Sequence, residues 1–139
     1  RDKDAVLAAA LVAEAALYYK VEYGKSLYDV LMDLYETHGY FTDLQEAIVL
    51  EGDEGQQRIA AILATLKDHS FTELGGMPVE STSFDSGLFT LQFENCGFIR
   101  ARSSGTEPKI RFYFCICGAS VEDATAKLEK AKAELFDIF

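Results

Sequence analysis

The chain predicts an α+β fold: an antiparallel sheet with two helices packed on one face, preceded by two helices that carry no sheet of their own. Three observations lead there. Up to Gly39 the apolar residues recur at helical spacing. After it, the segments LFTLQFE, GFIRAR and IRFYFCIC alternate and are rich in aromatic and branched residues, with only short connections between them. The last twenty residues then return to helical spacing, so the order after Gly39 reads β-α-β-β-β-β-α, and hairpin-linked neighbours make an antiparallel sheet.

Taken in order, Asp4 is placed to cap a helix from about Ala5 to Lys20. That helix is apolar on almost every face, which predicts burial within a larger body. A short Glu-Tyr-Gly turn leads to Ser26 and Asp29, a capping-box pair, and to Leu27, Val30, Leu31, Leu34 and Tyr35 at helical spacing; Gly39 stops this second helix. A domain boundary falls near Gly39–Thr42, which divides the chain into 1–39 and 40–139. Tyr40 to Leu50 ends in the short apolar run Ala47-Ile48-Val49-Leu50, which predicts a strand, and acids Asp53 and Glu54 open a helix to about Asp68 with Ile59, Ile62, Leu63 and Leu66 on one face. Gly75-Gly76-Met77-Pro78 breaks the chain before VESTSF, and Asn95-Cys96-Gly97 predicts a tight hairpin connection. Ser120 and Asp123 cap the final helix, with Val121, Ala124, Leu128, Ala131, Leu135 and Ile138 predicted to face inward.

Charge excludes some classes of partner. A formal net charge of −10 across 139 residues repels nucleic acid and anionic membrane surfaces, which both need a basic footprint. The N-terminal apolar run imitates a leader peptide, but Asp2 and Asp4 cancel Arg1 and Lys3, and the run is too short to span a bilayer. The expectation is a buried helix from a longer chain. Cys96, Cys115 and Cys117 cannot form a closed disulfide set, and Cys115 and Cys117 on one strand lie roughly 7 Å apart, too far to bridge. Inert, reduced thiols and a cytoplasmic setting are therefore expected.

Against this acidic background, Arg100, Arg102, Lys109 and Arg111 gather around a single acid, Glu107, a local +3 that leaves −13 for the rest. If the flanking strands pair, Arg102 and Arg111 face each other at the neck of a loop, where like charges destabilise a sheet unless an anion lies between them. The loop carries hydroxyl donors on Ser103, Ser104 and Thr106. Gly105 is placed to take a positive φ and let backbone N–H groups converge, and Lys109 adds a point charge. Residue chemistry admits two readings, an anion-binding nest and a polar turn with solvated arginines. It is not a P-loop, because no G-x-x-x-x-G-K-[ST] string is present.

The string RSSGTEPKIRFY (Arg102 to Tyr113) resembles the C-terminal phosphate-binding loop of the α-D-phosphohexomutases, R-P-S-G-T-E-P-x-[IL]-R. RDKDAV at the start and GKSLYDVLMDLYETHGYF (Gly24 to Phe41) are also similar to segments of these enzymes, so the resemblance covers nearly the whole chain. It implies a four-domain parent, of which 1–39 ends the third domain and 40–139 forms the fourth, with a TATA-box-binding-protein-like fold. It implies that Arg102, Ser104, Gly105 and Thr106 hold the phosphate not being transferred, that Arg111 supports it, and that Lys3 contacts the active centre.

The implied partners are hexose phosphates (glucose 1-phosphate, glucose 6-phosphate and glucose 1,6-bisphosphate) and the rest of the parent enzyme. Phosphates of mannose or glucosamine, or a non-catalytic sugar-phosphate module, are the alternatives. Ser103 replaces the usual Pro. The phosphoserine loop and the Asp-rich loop that holds Mg2+ in the family are absent from this sequence, so Mg2+ is expected only in the full-length enzyme, and these 139 residues are expected to lack turnover. No metal site is predicted in the chain itself. His38 and His69 are read as helix-end residues, the EGDEG run (Glu51 to Gly55) as acids starting a helix, and Tyr18 and Tyr19 as packing.

Overall fold

A computed structural model describes residues 3–50, 52–94, 96–105 and 107–139, with only the backbone of Asp53. The chain divides into two compact units, Arg1–Gly39 and Tyr40–Phe139.

The first unit holds α1 (Ala5–Tyr23) and α2 (Leu27–His38). Asp4 caps α1 by accepting a hydrogen bond from the Leu7 N–H at 2.9 Å. The helix continues three residues past Lys20 because the stop is Gly24, at φ 68°, whose N–H donates to the Tyr19 carbonyl. Ser26 and Asp29 form the reciprocal capping box, and Gly39 at φ 94° ends α2. Within this chain no residue of α1 or α2 is buried, and Val6 is 83% exposed; the burial expected of α1 is in a larger body. The rings of Tyr18, Tyr19 and Tyr23 pack on one another at 5.4–5.9 Å.

The second unit runs β1 (Tyr40–Val49), α3 (Gly52–Asp68), β2 (Glu73–Leu74), β3 (Met77–Asp85), β4 (Leu88–Phe93), β5 (Gly97–Ser103), β6 (Lys109–Gly118) and α4 (Val121–Phe136). The six strands form one sheet in the order β1-β6-β5-β4-β3-β2, each neighbouring pair antiparallel. It is the α+β architecture the alternation pattern predicts, with β2 as an addition. That two-residue strand exists because Gly75 (φ 65°) and Gly76 (φ 79°) make the tight turn that folds Glu73–Leu74 back on Met77–Pro78. The predicted Asn95 of the β4–β5 connection lies outside the described residues; Gly97 beside it takes φ 96°.

Strict alternation divides the sheet into two faces. Phe89, Leu91, Phe93, Ile99, Ile110, Phe112, Phe114 and Ile116 point to the helices and form one core with Ile59, Leu63 and Leu66 of α3 and Leu128, Ala131 and Leu135 of α4. Each large side chain among them contributes roughly 1.5–3 kcal/mol by leaving water. Ile62 and Ile138 pack at the margin of this core, whereas Val121, the first residue of α4, stays 48% exposed, against expectation. Neither α3 nor α4 packs on the other face. Phe98, Arg100 and Arg102 of β5 and Arg111, Tyr113 and Cys115 of β6 lie on it.

One sequence expectation is corrected here. Cys96 and Cys117 are joined as a disulfide with Cα atoms 6.0 Å apart, leaving Cys115 as the free thiol. Spacing along β6 keeps Cys115 and Cys117 apart, but the strand register sets Gly97 opposite Ile116 and so brings Cys96 beside Cys117. No helix among the described residues is long and apolar enough to cross a membrane.

Candidate functional site

The β5–β6 hairpin aligns Arg102 with Arg111 and Ser103 with Ile110. The two arginines are therefore direct cross-strand neighbours at the neck of the loop. Backbone bonds fix that loop: the Ser104 N–H donates to the Lys109 carbonyl at 2.8 Å, and the Lys109 N–H donates to the Glu107 carbonyl at 2.8 Å. The Leu50 N–H donates to the Pro108 carbonyl at 2.9 Å, which ties the loop's exit to the end of β1. Inside it the Glu107 N–H donates to the Ser104 hydroxyl at 3.3 Å.

The structure brings Arg102, Ser103, Ser104, Gly105, Lys109 and Arg111 around one open cavity of about 220 Å³, with Glu107 and Tyr113 completing the wall. That volume suits a small polar ligand. Thr106 lies outside the described residues. Lys3 precedes α1, in the other unit.

Two details differ from what the sequence predicts. Gly105 does not adopt the left-handed backbone that would require glycine, and a Cβ built there meets nothing within 4 Å. The loop geometry is carried by its hydrogen bonds and Pro108. Lys109 is not a free point charge: it pairs with Glu107, and this hydrogen bond and attraction hold the Glu107 carboxyl below the usual range. Among the described residues, Arg102 and Arg111 have no acid within ion-pairing distance.

Tyr113 was not singled out by sequence reasoning. The signal was available, since a period of two from Arg111 puts Tyr113 on the same face. Further along that face, burial pushes the Cys115 thiol up to about 11, helped by a hydrogen bond with Asp43, so it is unsuited to act as a nucleophile. His38 ends α2 and is exposed, whereas His69 follows α3 and its ring lies 4.4 Å from that of Phe71. The EGDEG run contains Glu51 and the Asp53 side chain, which lie outside the described residues; α3 begins at Gly52. Among the described residues no group of three or more His, Cys, Asp or Glu side chains is arranged to hold a metal ion.

The chain is similar to curated proteins. It is 32% identical to a phosphoglucomutase of Staphylococcus aureus (strain bovine RF122 / ET3-1), over 92% of this chain and 26% of that protein. The phosphoglucomutases of strains USA300 and N315 match over the same shares at 32% and 31% identity. No protein-family model matches the chain. The chain thus spans about a quarter of the length of the curated relatives it matches. The resemblance carried by the RSSGTEPKIRFY loop extends to overall sequence: over nearly its whole length the chain is homologous to part of proteins named phosphoglucomutase.

Proposed function

We propose that the chain is the C-terminal part of a phosphohexomutase acting on glucose phosphates, with 1–39 ending the third domain and 40–139 forming the fourth. In this reading the β5–β6 loop grips the phosphate that is not being transferred. The observation that carries it is the direct pairing of Arg102 with Arg111 at the mouth of a hydroxyl-bearing loop, with no acid among the described residues within ion-pairing distance of either. Two facing guanidinium groups repel each other, and a phosphate between them turns that repulsion into two charge-assisted contacts with matched planar geometry.

Ser103, Ser104, Gly105 and Thr106 supply the hydroxyl and backbone donors that complete the shell. Lys109 and Glu107 form the outer wall and keep the loop from collapsing onto the arginines. Such a grip does not depend on which carbon of the sugar bears the phosphate, so it serves a reaction in which the bisphosphate turns end for end. A domain closing on that phosphate also excludes water from the reacting phosphoryl group. Phosphoryl transfer itself, and the Mg2+ that would neutralise charge during it, belong to parts of the parent outside this chain. Lys3 is the one residue of this chain proposed to approach the reacting centre, on the resemblance of the RDKDAV segment. A cytoplasmic setting for the parent is part of the same proposal and rests on the phosphoglucomutase relatives, not on the cysteines, two of which are joined.

The test is glucose 6-phosphate binding by the 139-residue chain and by Arg102→Ala, measured by calorimetry. Loss of one charge-assisted hydrogen bond, about 1.5–3 kcal/mol, lowers affinity about 10- to 150-fold. Equal affinity in the two proteins would overturn the assignment.

A further inference from the structure

The phosphate cavity does not end at Arg111. A second cavity, of about 470 Å³, opens on the face of the sheet opposite α3 and α4, and Arg102 and Tyr113 line both. The strand registers place a polar row across this second cavity. Gln45 faces Tyr113, and Tyr113 faces Arg100, while the next row carries Asp43 beside Cys115. The Arg102–Arg111 row and the Arg100–Tyr113 row are two residues apart along the strands, roughly 6.6 Å. That is about the length of a hexose ring.

The chemistry of the row differs from that of the loop. Arg100 offers only donors and Asp43 is an acceptor, whereas Gln45 and Tyr113 do both. A second phosphate would meet the Asp43 charge, but the hydroxyls of a sugar both give and accept hydrogen bonds. The Arg100 guanidinium lies 4.2 Å from the centroid of the Phe98 ring, which holds the side chain in place before any ligand arrives. Among the described residues no acid lies within ion-pairing distance of Arg100.

We infer that Arg100, Tyr113, Gln45 and Asp43 form a subsite for the neutral, hydroxyl-bearing body of the same ligand whose phosphate lies in the Arg102–Arg111 loop. This rests on the phosphate-grip reading above and adds specificity-determining residues to it. The loop fixes the phosphate, and the row beside it reads what the phosphate is attached to.

The experiment titrates the 139-residue chain, Arg100→Ala and Tyr113→Phe with inorganic phosphate, glucose 6-phosphate and glucose 1,6-bisphosphate at about 0.15 M salt. Glucose 6-phosphate is expected to bind wild type more tightly than phosphate does. Arg100→Ala should weaken glucose 6-phosphate about tenfold, and Tyr113→Phe about threefold, the size of one or two lost hydrogen bonds. Inorganic phosphate should change by less than about threefold, the reach of a screened charge one row away.

If glucose 6-phosphate binds wild type no better than phosphate, or both ligands weaken equally in Arg100→Ala, the subsite is refuted and the phosphate grip stands. If the bisphosphate alone gains affinity through Arg100, the row binds a second phosphate and the neutral-body assignment falls. If wild type binds no phosphate at all, the grip and the subsite fall together. Tyr113→Phe keeps the ring and its packing, so it decides the matter should Arg100→Ala disturb the sheet.

Discussion

Arg102 and Arg111 form a single cross-strand pair at the neck of the loop proposed to grip a phosphate, and the residues around them divide into those that shape the loop and those that tune its charge. Gly105 belongs to neither group as the sequence frames it. With no left-handed φ and open space at its Cβ position, Gly105→Ala should change phosphate affinity by less than about threefold; a titration showing a tenfold loss would return the backbone nest to the account. Cys115 gives a second check at this scale. With the thiol pushed up to about 11 by burial and by Asp43, a thiol reagent at pH 8 should modify it far more slowly than a free cysteine. Rapid modification under non-reducing conditions would contradict the burial of that side chain. The arginines and hydroxyls of the loop were legible in the sequence because charge and chemical type are written in each residue. The Lys109–Glu107 pairing and the backbone of Gly105 were not, because both depend on how the loop closes.

Local signals set the elements and long-range register sets their partners. The caps at Asp4, Ser26 and Ser120 are visible as sequence patterns and recur in the structure with their hydrogen bonds. At α4 the Asp123 carboxylate accepts from Lys127 and from the Ala119 N–H, and these contacts hold it below its ordinary value. A carboxylate depressed on folding stabilises above its unfolded pKa, and the contribution is lost as pH falls through the folded one. Asp123→Asn should therefore flatten the acid side of the Tm-against-pH curve below about pH 4, read by circular dichroism, and an unchanged slope would count against the contact. Gly75 is constrained more tightly. At φ 65°, with Ala131 Cβ 2.7 Å from an added methyl, Gly75→Ala should cost about 1–3 kcal/mol in urea unfolding. The Gly-Gly turn was readable, but β2 and the Cys96–Cys117 disulfide were not, since each is fixed by a partner strand whose register no local pattern reveals.

At the scale of the whole molecule, the two units differ in what holds them. Tyr40–Phe139 buries a continuous core between the sheet and α3 and α4, whereas α1 and α2 bury no residue and leave Val6, Val12, Leu17 and Val21 exposed. Apolar surface on that scale promotes association. A variant lacking residues 1–39 should unfold in one cooperative transition and bind less of a hydrophobic dye than the full chain; loss of cooperativity would show that the sheet unit depends on the helices. The central claim, that an acidic chain gathers four of its thirteen lysines and arginines around one loop to hold a phosphate, is tested most directly by amide chemical shifts during a titration with inorganic phosphate. Saturable shifts confined to Arg102–Arg111 and their strand neighbours, abolished in Arg102→Ala, are the predicted result. Shifts scattered over the surface, or the same shifts in Arg102→Ala, would contradict it.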